Sequence, residues 1–161
     1  MTESDFDALR EMSDNGNIYR YEPTYLLEQQ YSDMHQLIRD LYGKYFDTKQ
    51  NLILGTYLRE MPSELCGLAE FYDYLDHLHT VSIGGRLREK FWKSGIGSET
   101  IQLMIDYLFG ETDIEIIMAS TMPGNRASAR LLEKAGFQTT NHIRKEDWGH
   151  AESTDAYRWF L

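Results

Sequence analysis

The sequence predicts a single mixed α/β domain over residues 1–161, with a mostly antiparallel sheet flanked by helices. The length of 161 residues and the 42% apolar content fit one globular domain with its own core. Apolar positions repeat with a period of about 3.6 in some stretches and about 2 in others, which indicates helices mixed with strands. The predicted order is helix, helix, three strands, helix, strand, helix and two strands.

Two helices are predicted before the first strand. Ser4 is a suitable N-cap for a helix that ends near Gly16. Pro23 begins a longer helix that runs to about Tyr42, and Gly43 ends it.

Three strands are predicted next, at residues 51–59, 65–75 and 80–88. The turn between the first two is placed at residues 61–63, which include a proline. The close spacing of these strands is typical of an antiparallel meander.

The stretch 92–109 is the centre of the predicted fold. Gly95 and Gly97 form a turn, and a helix begins directly after them. One face of this helix carries apolar residues at i, i+3, i+4 and i+7. These residues are Ile101, Met104, Ile105 and Leu108. Gly110 is predicted to end the helix at its C′ position.

The start of this helix is a candidate anion site. No capping box covers its first N–H groups, which lack partners inside the helix and carry partial positive charge. The glycines let a ligand approach the backbone, and Lys93 adds a full positive charge. These features favour a phosphate or pyrophosphate seat. A glycine turn before an ordinary amphipathic helix explains the same residues equally well.

The C-terminal part is predicted to hold a strand, a helix and a hairpin. The nearly continuous apolar run 114–119 is typical of a strand that is covered on both faces. Asn125 is a good N-cap for the following helix, which Gly136 ends. Residues 137–145 and 154–161 are predicted as the paired strands of the hairpin.

The composition limits the classes of partner. The formal charge of −10 argues against nucleic acid, because nucleic-acid binding depends on neutralising phosphates. It suits a cationic substrate, although solubility alone also explains it. No apolar run is long enough for a membrane span, and the acidic start lacks the apolar segment of a signal peptide. Together with the lone Cys66, this predicts a cytoplasmic protein with no membrane partner.

Metal and cysteine chemistry are not expected. His77 and His79 have the spacing of two ligands, but no third ligand follows at a recognisable distance along the sequence. Cys66 lies in an apolar run and has no His or Asp in a nucleophile pattern. We therefore expect no metal, and a buried structural cysteine.

Two segments carry a family resemblance. The run 87–97, LREKFWKSGIG, resembles the acyl-CoA loop of the Gcn5-related N-acetyltransferases (GNAT). The run 122–137, MPGNRASARLLEKAGF, is similar to their second signature, Asn, two residues and Ser before a helix end. Glu99 and Ser128 match the branch that acetylates N-terminal amines of ribosomal proteins and includes polyamine acetylators.

This chain departs from the family pattern in two places. Trp92 stands where the loop usually has Gln or Arg, and Lys93 is the candidate substitute for that contact. The branch usually begins with a strand, whereas here a helix starts at Ser4. Either the sequence starts late, or one sheet edge lacks its strand and is exposed or covered by another segment.

The resemblance implies acetyl-CoA as the donor and a primary amine as the acceptor, either a protein N-terminus, a polyamine or another small amine. The backbone near Leu87 and Arg88 would pair with the pantetheine arm, which leaves a gap before the next strand. Asn125 would contact the pantetheine or the acetyl group. The pyrophosphate would bind the amides of the loop and helix start, namely Trp92, Lys93, Ser94, Gly95, Ile96, Gly97 and Ser98.

The resemblance also implies catalytic roles. Direct attack of a neutral amine needs a base, donors for the oxyanion and an acid for the thiolate. Leu132 fills the place where many members have a tyrosine acid, so Ser128 is the candidate donor to the thiolate. Glu70 is the candidate base. Other candidates that remain open are Tyr72, Tyr74, Glu146 and a water chain without a single base.

Two rival functions stay open at this point. The first is a non-catalytic acyl-CoA-binding regulatory domain of the same fold, which Trp92 and Leu132 motivate. The second is a different nucleotide-binding enzyme, which the absence of a three-glycine fingerprint after the first strand weakens. The oligomeric state is expected to be monomer or homodimer.

Overall fold

Six strands form one sheet in the spatial order β1-β2-β3-β4-β6-β5. The structure is a computed structural model, and it describes residues 1–21, 31–43, 51–148 and 151–161. The strands are β1 (Asn51–Leu58), β2 (Met61–Leu75), β3 (Thr80–Leu87), β4 (Ile116–Thr121), β5 (Gln138–Glu146) and β6 (Thr154–Phe160).

The described helices come before β1 and on either side of β4. A short 3-10 turn, Glu3–Asp5, leads into the first of them. They are α1 (Phe6–Ser13), α2 (Gly16–Tyr19), α3 (Met34–Gln36, continued by a π-helical stretch Leu37–Gly43), α4 (Ile96–Glu111) and α5 (Arg126–Lys134). The predicted helix from Pro23 lies partly outside the described residues, and its described end is α3.

The sheet is mixed, as predicted. Only β3 and β4 run parallel, and the other four neighbouring pairs are antiparallel. The parallel pair requires a crossover, which α4 supplies between β3 and β4. This crossover places the start of α4 directly after the end of β3.

Apolar side chains cover both faces of the sheet. The face toward α4 and α5 buries the larger cluster, in which Ile117 is completely inaccessible. The opposite face buries a second cluster, where Leu9 and Met12 of α1 pack with Leu65 and Leu68 of β2. Burial of this kind is the main stabilising term of a domain of this size.

The start and end of the first helix differ from the prediction. Asp5 rather than Ser4 is the N-cap of α1, and Gly16 begins α2, which the sequence did not predict, instead of ending α1.

Two further predicted boundaries are wrong. The first turn lies at Arg59 and Glu60, and Pro62 is instead inside β2. Pro62 is tolerated there because it lies at the exposed start of the strand. Gly110 does not end α4, which continues to Glu111. The hydroxyl of Thr112 donates to the carbonyl of Leu108 and caps the helix end instead.

The N-terminal strand of the family pattern has no counterpart among the described residues. Residues 3–19 hold the 3-10 turn, α1 and α2, and β1 has a strand partner only in β2 within the described part of the chain.

Candidate active site

The sheet opens between β3 and β4. Their pairing runs from Thr80 with Ile116 to Ser82 with Met118 and then stops. Both strands continue beyond this point, β3 to Leu87 and β4 to Thr121. The predicted gap between these two strands is therefore present. We call this space between the unpaired strand ends the opening.

Alternate residues of β3 face the opening. The carbonyl of His79 accepts from β4, whereas the N–H of Arg88 donates to Cys66 of β2 at 2.9 Å. Because successive residues of a strand point their backbone groups to opposite edges, Gly85 and Leu87 face the opening. The carbonyl of Leu87 already accepts from the indole N–H of Trp92 at 2.8 Å.

Arg88, which was predicted as a cofactor contact, faces away from the opening. Its N–H points to β2, and its buried guanidinium turns toward α1. There it donates to the carboxylate of Glu11 and, at 3.0 Å, to the carbonyl of Leu65. The backbone groups of consecutive strand residues point to opposite edges of the strand. Because those of Leu87 point into the opening, those of Arg88 point to β2.

Two consecutive glycines lie in β3 beside the opening, and sequence reasoning missed them. A Cβ on Gly84 would lie 3.3 Å from the ring of Tyr72, and one on Gly85 would lie 2.9 Å from the carbonyl oxygen of Leu68. A glycine inside a strand often marks the close approach of a ligand or another backbone. This pair was therefore a usable signal for the site.

The loop before α4 presents backbone amides at the end of the opening. Lys93 has a positive φ of 62° and Gly95 one of 93°, so the chain turns sharply twice. Such left-handed residues form concave amide surfaces that bind anions. Gly95 is the N-cap of α4 and makes no side-chain cap, as the sequence predicted.

Five of the predicted loop residues line the cleft, whereas Ile96 is buried and Ser94 is exposed outside it. Trp92, Lys93, Gly95, Gly97 and Ser98 line the cleft. Ile96 is buried, and its N–H donates weakly to the hydroxyl of Ser94, which itself donates to Phe91. Neither of these two side chains lines the cleft.

Asn125 and Ser128 form the wall on the β4 side. The side chain of Asn125 caps α5 by accepting from the N–H of Ser128 at 3.2 Å. The predicted N-cap role is therefore confirmed. Ser128 lines the cleft, and its hydroxyl makes no hydrogen bond within the described part of the chain. The buried Leu132 lies one helical turn further along.

Glu70 lies in the cleft as half of a buried ion pair. Its carboxylate is 2.7 Å from the guanidinium of Arg86, and these side chains are only 15% and 5% exposed. Both project from the face of the sheet that α1 covers, opposite α4. Glu70 and the loop before α4 therefore lie on different faces of the sheet at the opening.

Of the alternative bases, Tyr72 and Glu146 line the cleft and Tyr74 does not. Tyr74 is exposed and donates to Asp76 at 2.8 Å, because β2 is irregular between Tyr72 and Leu75 and Asp73 has a φ of 51°. Tyr74, which was suggested as a base, therefore lies outside the cleft.

Glu146 is held by donors from three parts of the chain. The hydroxyl of Ser120 and the guanidinium of Arg158 each lie 3.1 Å from one oxygen. The indole N–H of Trp148 donates to the other oxygen at 2.9 Å. This carboxylate therefore fixes the Trp148 ring against the cleft.

The backbone of β3 at the opening, the loop before α4, Asn125, Ser128, Glu70 and Glu146 line one cleft of about 1150 Å³. This volume is above the common range for small-ligand pockets, about 300–1,000 Å³, which suits a long ligand and a second substrate together. Among the described residues, no group of three His, Cys, Asp or Glu side chains is placed to hold a metal ion. No helix in those residues has the length and apolar character to cross a membrane.

Comparison with protein families matches residues 1–138 to the acetyltransferase (GNAT) domain. The chain is 28% identical over 147 residues to the uncharacterized N-acetyltransferase YoaA of Bacillus subtilis, covering 90% of this chain and 80% of YoaA. It is 41% identical over 68 residues to YjcK of the same bacterium, and that match spans 42% of this chain but only 38% of YjcK.

The fold is also that of a solved acetyltransferase. The structure of spermidine N-acetyltransferase from Vibrio cholerae, in complex with CoA and spermine, superposes with a TM-score of 0.79. The two share 19% sequence identity over 100% of this chain and 91% of that one. With the family match over most of its length, the chain belongs to the GNAT acetyltransferases, a family of enzymes with this fold.

Proposed function

We propose that this protein transfers the acetyl group of acetyl-CoA to a primary amine. The observation that carries the proposal is the continuity of the opening with the loop. The inward-facing backbone of Gly85 and Leu87 leads directly to the amides at the start of α4. A pantetheine arm needs backbone groups with which it can pair, and Gly85 and Leu87 supply them. A pyrophosphate needs amide donors, and the start of α4 supplies them.

The residues present fit acetyl-CoA. Gly95 and Gly97 leave the loop backbone accessible, because a Cβ on Gly95 would meet nothing within 4 Å and one on Gly97 would make only ordinary contacts. Lys93 supplies positive charge beside the loop, which suits the pyrophosphate. The amide of Asn125 lies across the cleft, where it can donate to the arm. When bound, acetyl-CoA supplies an acyl group that is activated as a thioester.

The chain then supports direct attack. The amine nitrogen forms a bond to the acetyl carbon, the carbon–sulfur bond breaks, and the amine loses one proton while the sulfur gains one. The N–H groups of β3 that face the opening are the donors for the carbonyl oxygen. Ser128 donates to the sulfur, because its hydroxyl lines the cleft and Leu132 leaves no acid at the next turn of α5.

Glu70 is the proposed acceptor of the amine proton. Its ion pair with Arg86 holds the carboxylate in one position, and a water molecule carries the proton to it. Glu146 and Tyr72 line the same cleft and remain the alternatives.

The acceptor is proposed as a protein N-terminus, a polyamine or another small amine. The structure of the Vibrio cholerae enzyme is a complex with CoA and spermine, so polyamines are included among the amines to be tested as acceptors. Peptides with free N-termini are included because of the resemblance to the ribosomal-protein branch. A cytoplasmic location and a monomeric or homodimeric state are part of the proposal.

The test has two stages. Calorimetry with acetyl-CoA and CoA, against ATP and NADH, is expected to show binding of the first two alone. Mass spectrometry of the amine panel is then expected to show one acetylated class. Binding without acetylation of any amine would support the non-catalytic acyl-CoA-binding domain, and no binding at all would reject both.

A further inference from the structure

The segment Asn15–Tyr21, which we call the bridge, is hydrogen-bonded at both of its ends. At one end the side-chain amides of Asn15 and Asn17 donate to the carboxylate of Glu89, at 2.8 and 3.1 Å. At the other end the hydroxyl of Tyr21 donates to the carbonyl of Gly124 at 3.1 Å. Helix α2 lies between the two anchors.

The two anchors lie directly beyond the ends of the two strands that border the opening. Glu89 follows the end of β3 at Leu87, and Gly124 follows the end of β4 at Thr121. No pairing joins these strands after Ser82 and Met118. The bridge therefore connects the strand ends at the position where the sheet itself no longer does.

The bridge is itself held in place. Ile18 is buried in the cluster between α1 and the sheet. Asn15 caps α2 by accepting from the N–H of Asn17. The ring of Tyr21 contacts Gly124, where a Cβ would lie 3.5 Å away, and Arg20 stacks over that ring at 5.3 Å. Side chains of the bridge also line the cleft.

We propose that the bridge sets the distance between β3 and β4 at the opening, so that Tyr21 and Glu89 are positioning residues for the pantetheine arm. The inference rests on the proposed function. Strand ends without mutual hydrogen bonds have no fixed spacing of their own. Because the bridge fixes the width of the opening before CoA binds, less conformational freedom is lost on binding. This increases the affinity for CoA.

The experiment compares two ligands by calorimetry. CoA has the pantetheine arm, whereas adenosine 3′,5′-bisphosphate lacks both the arm and the second phosphate of the pyrophosphate and reaches only the loop. Tyr21→Phe and Glu89→Ala are expected to weaken CoA binding by about three- to tenfold, the effect of one or two lost hydrogen bonds. The affinity for the bisphosphate is expected to stay unchanged.

Matched variants separate the bridge from general effects of the substitutions. Tyr107→Phe removes a hydroxyl from an exposed tyrosine of α4 outside the cleft, and Glu133→Ala removes an exposed carboxylate of α5. Both are expected to bind CoA as the unmodified protein does. Glu89→Gln keeps one acceptor oxygen for the bridge amides, so its CoA affinity should fall between those of the unmodified protein and Glu89→Ala.

The outcomes are distinguishable. An equal loss of CoA and bisphosphate binding would show that the bridge acts on the loop, and this would overturn the inference. CoA affinity unchanged in both variants would overturn it too. If the unmodified protein failed to bind CoA, the proposed function would fall first and the inference with it.

Discussion

Gly97 is in the first turn of α4, at the candidate pyrophosphate seat. A Cβ there would lie 3.5 Å from Leu87 and 3.6 Å from Leu131, which are ordinary contacts. Its backbone has no positive φ, unlike that of Gly95. The protein therefore tolerates a Cβ at this position, and a negatively charged side chain there would be unfavourable for a bound anion.

Gly97→Asp is expected to abolish CoA binding. The carboxylate would repel the pyrophosphate, whereas in the free protein an acidic residue near the start of a helix stabilises by about 0.3–1 kcal/mol. Calorimetry should thus show no binding while the melting temperature stays equal or rises. Gly97→Ala is the control and should bind. Retained CoA affinity in the aspartate variant would remove α4 as the seat.

Ser128 tests the chemical step separately from binding. Ser128→Ala is expected to lower kcat by about a hundredfold or more, the low end for loss of a proton donor to a leaving group. The dissociation constant of CoA should change little, because the backbone N–H of Ser128 still donates to the capping side chain of Asn125. Ser153→Ala, in the exposed turn before β6, is the control. An unchanged kcat would exclude Ser128 from the reaction.

At the scale of elements, β3 has one paired edge and one edge that is unpaired beyond Ser82. The N–H groups of Gly84 and Arg86 point to β2, and those of Gly85 and Leu87 point into the opening. A ligand that pairs with β3 as an added strand would therefore protect alternate residues only.

Hydrogen exchange of backbone amides is expected to show this alternation. Without CoA, Gly84 and Arg86 should exchange slowly, and Gly85 and Leu87 quickly. With CoA, the two fast amides should slow while the other two change little. Uniform protection along β3, or protection confined to Gly84 and Arg86, would contradict a pantetheine arm in the opening.

At the scale of the whole molecule, one charged cluster joins α1 to the end of β3. The guanidinium of Arg88 donates to Glu11 and lowers the pKa of that carboxyl below its usual value near 4.5. A group whose pKa is lowered on folding stabilises the protein above its unfolded pKa. That contribution is lost as the pH falls through the folded pKa.

Glu11→Gln is therefore expected to lower the melting temperature at pH 7, and the difference from the unmodified protein should shrink below about pH 4. The effect is small, about 1 kcal/mol or less, because the side chain of Glu11 is 46% exposed and water screens it. Glu133→Gln should show no such difference at either pH. If the difference in melting temperature between Glu11→Gln and the unmodified protein stayed constant across the pH range, the charge of Glu11 would not be involved.

The sequence predicted the order of the elements and the glycine loop because these depend on near neighbours. The helical spacing in α4, the Asn125 cap and the Gly136 end, with its φ of 95°, are all read within a few residues. Where two local signals competed, the sequence misled. Gly110 resembled a helix end, but α4 continues to Glu111. The hydroxyl of Thr112 caps this end by donating to the carbonyl of Leu108.

The family resemblance already implied the opening, but only the tertiary structure placed the ion pair of Glu70 with Arg86, the buried turn of Arg88 away from the cleft, and the bridge. The contacts of the bridge join residues 72 to 103 positions apart, so no spacing along the chain predicts them. They exist because a crossover through α4 separates two parallel strands that pair over only three residues. Local chemistry thus determined which elements form, and their packing decided which side chains meet at the cleft.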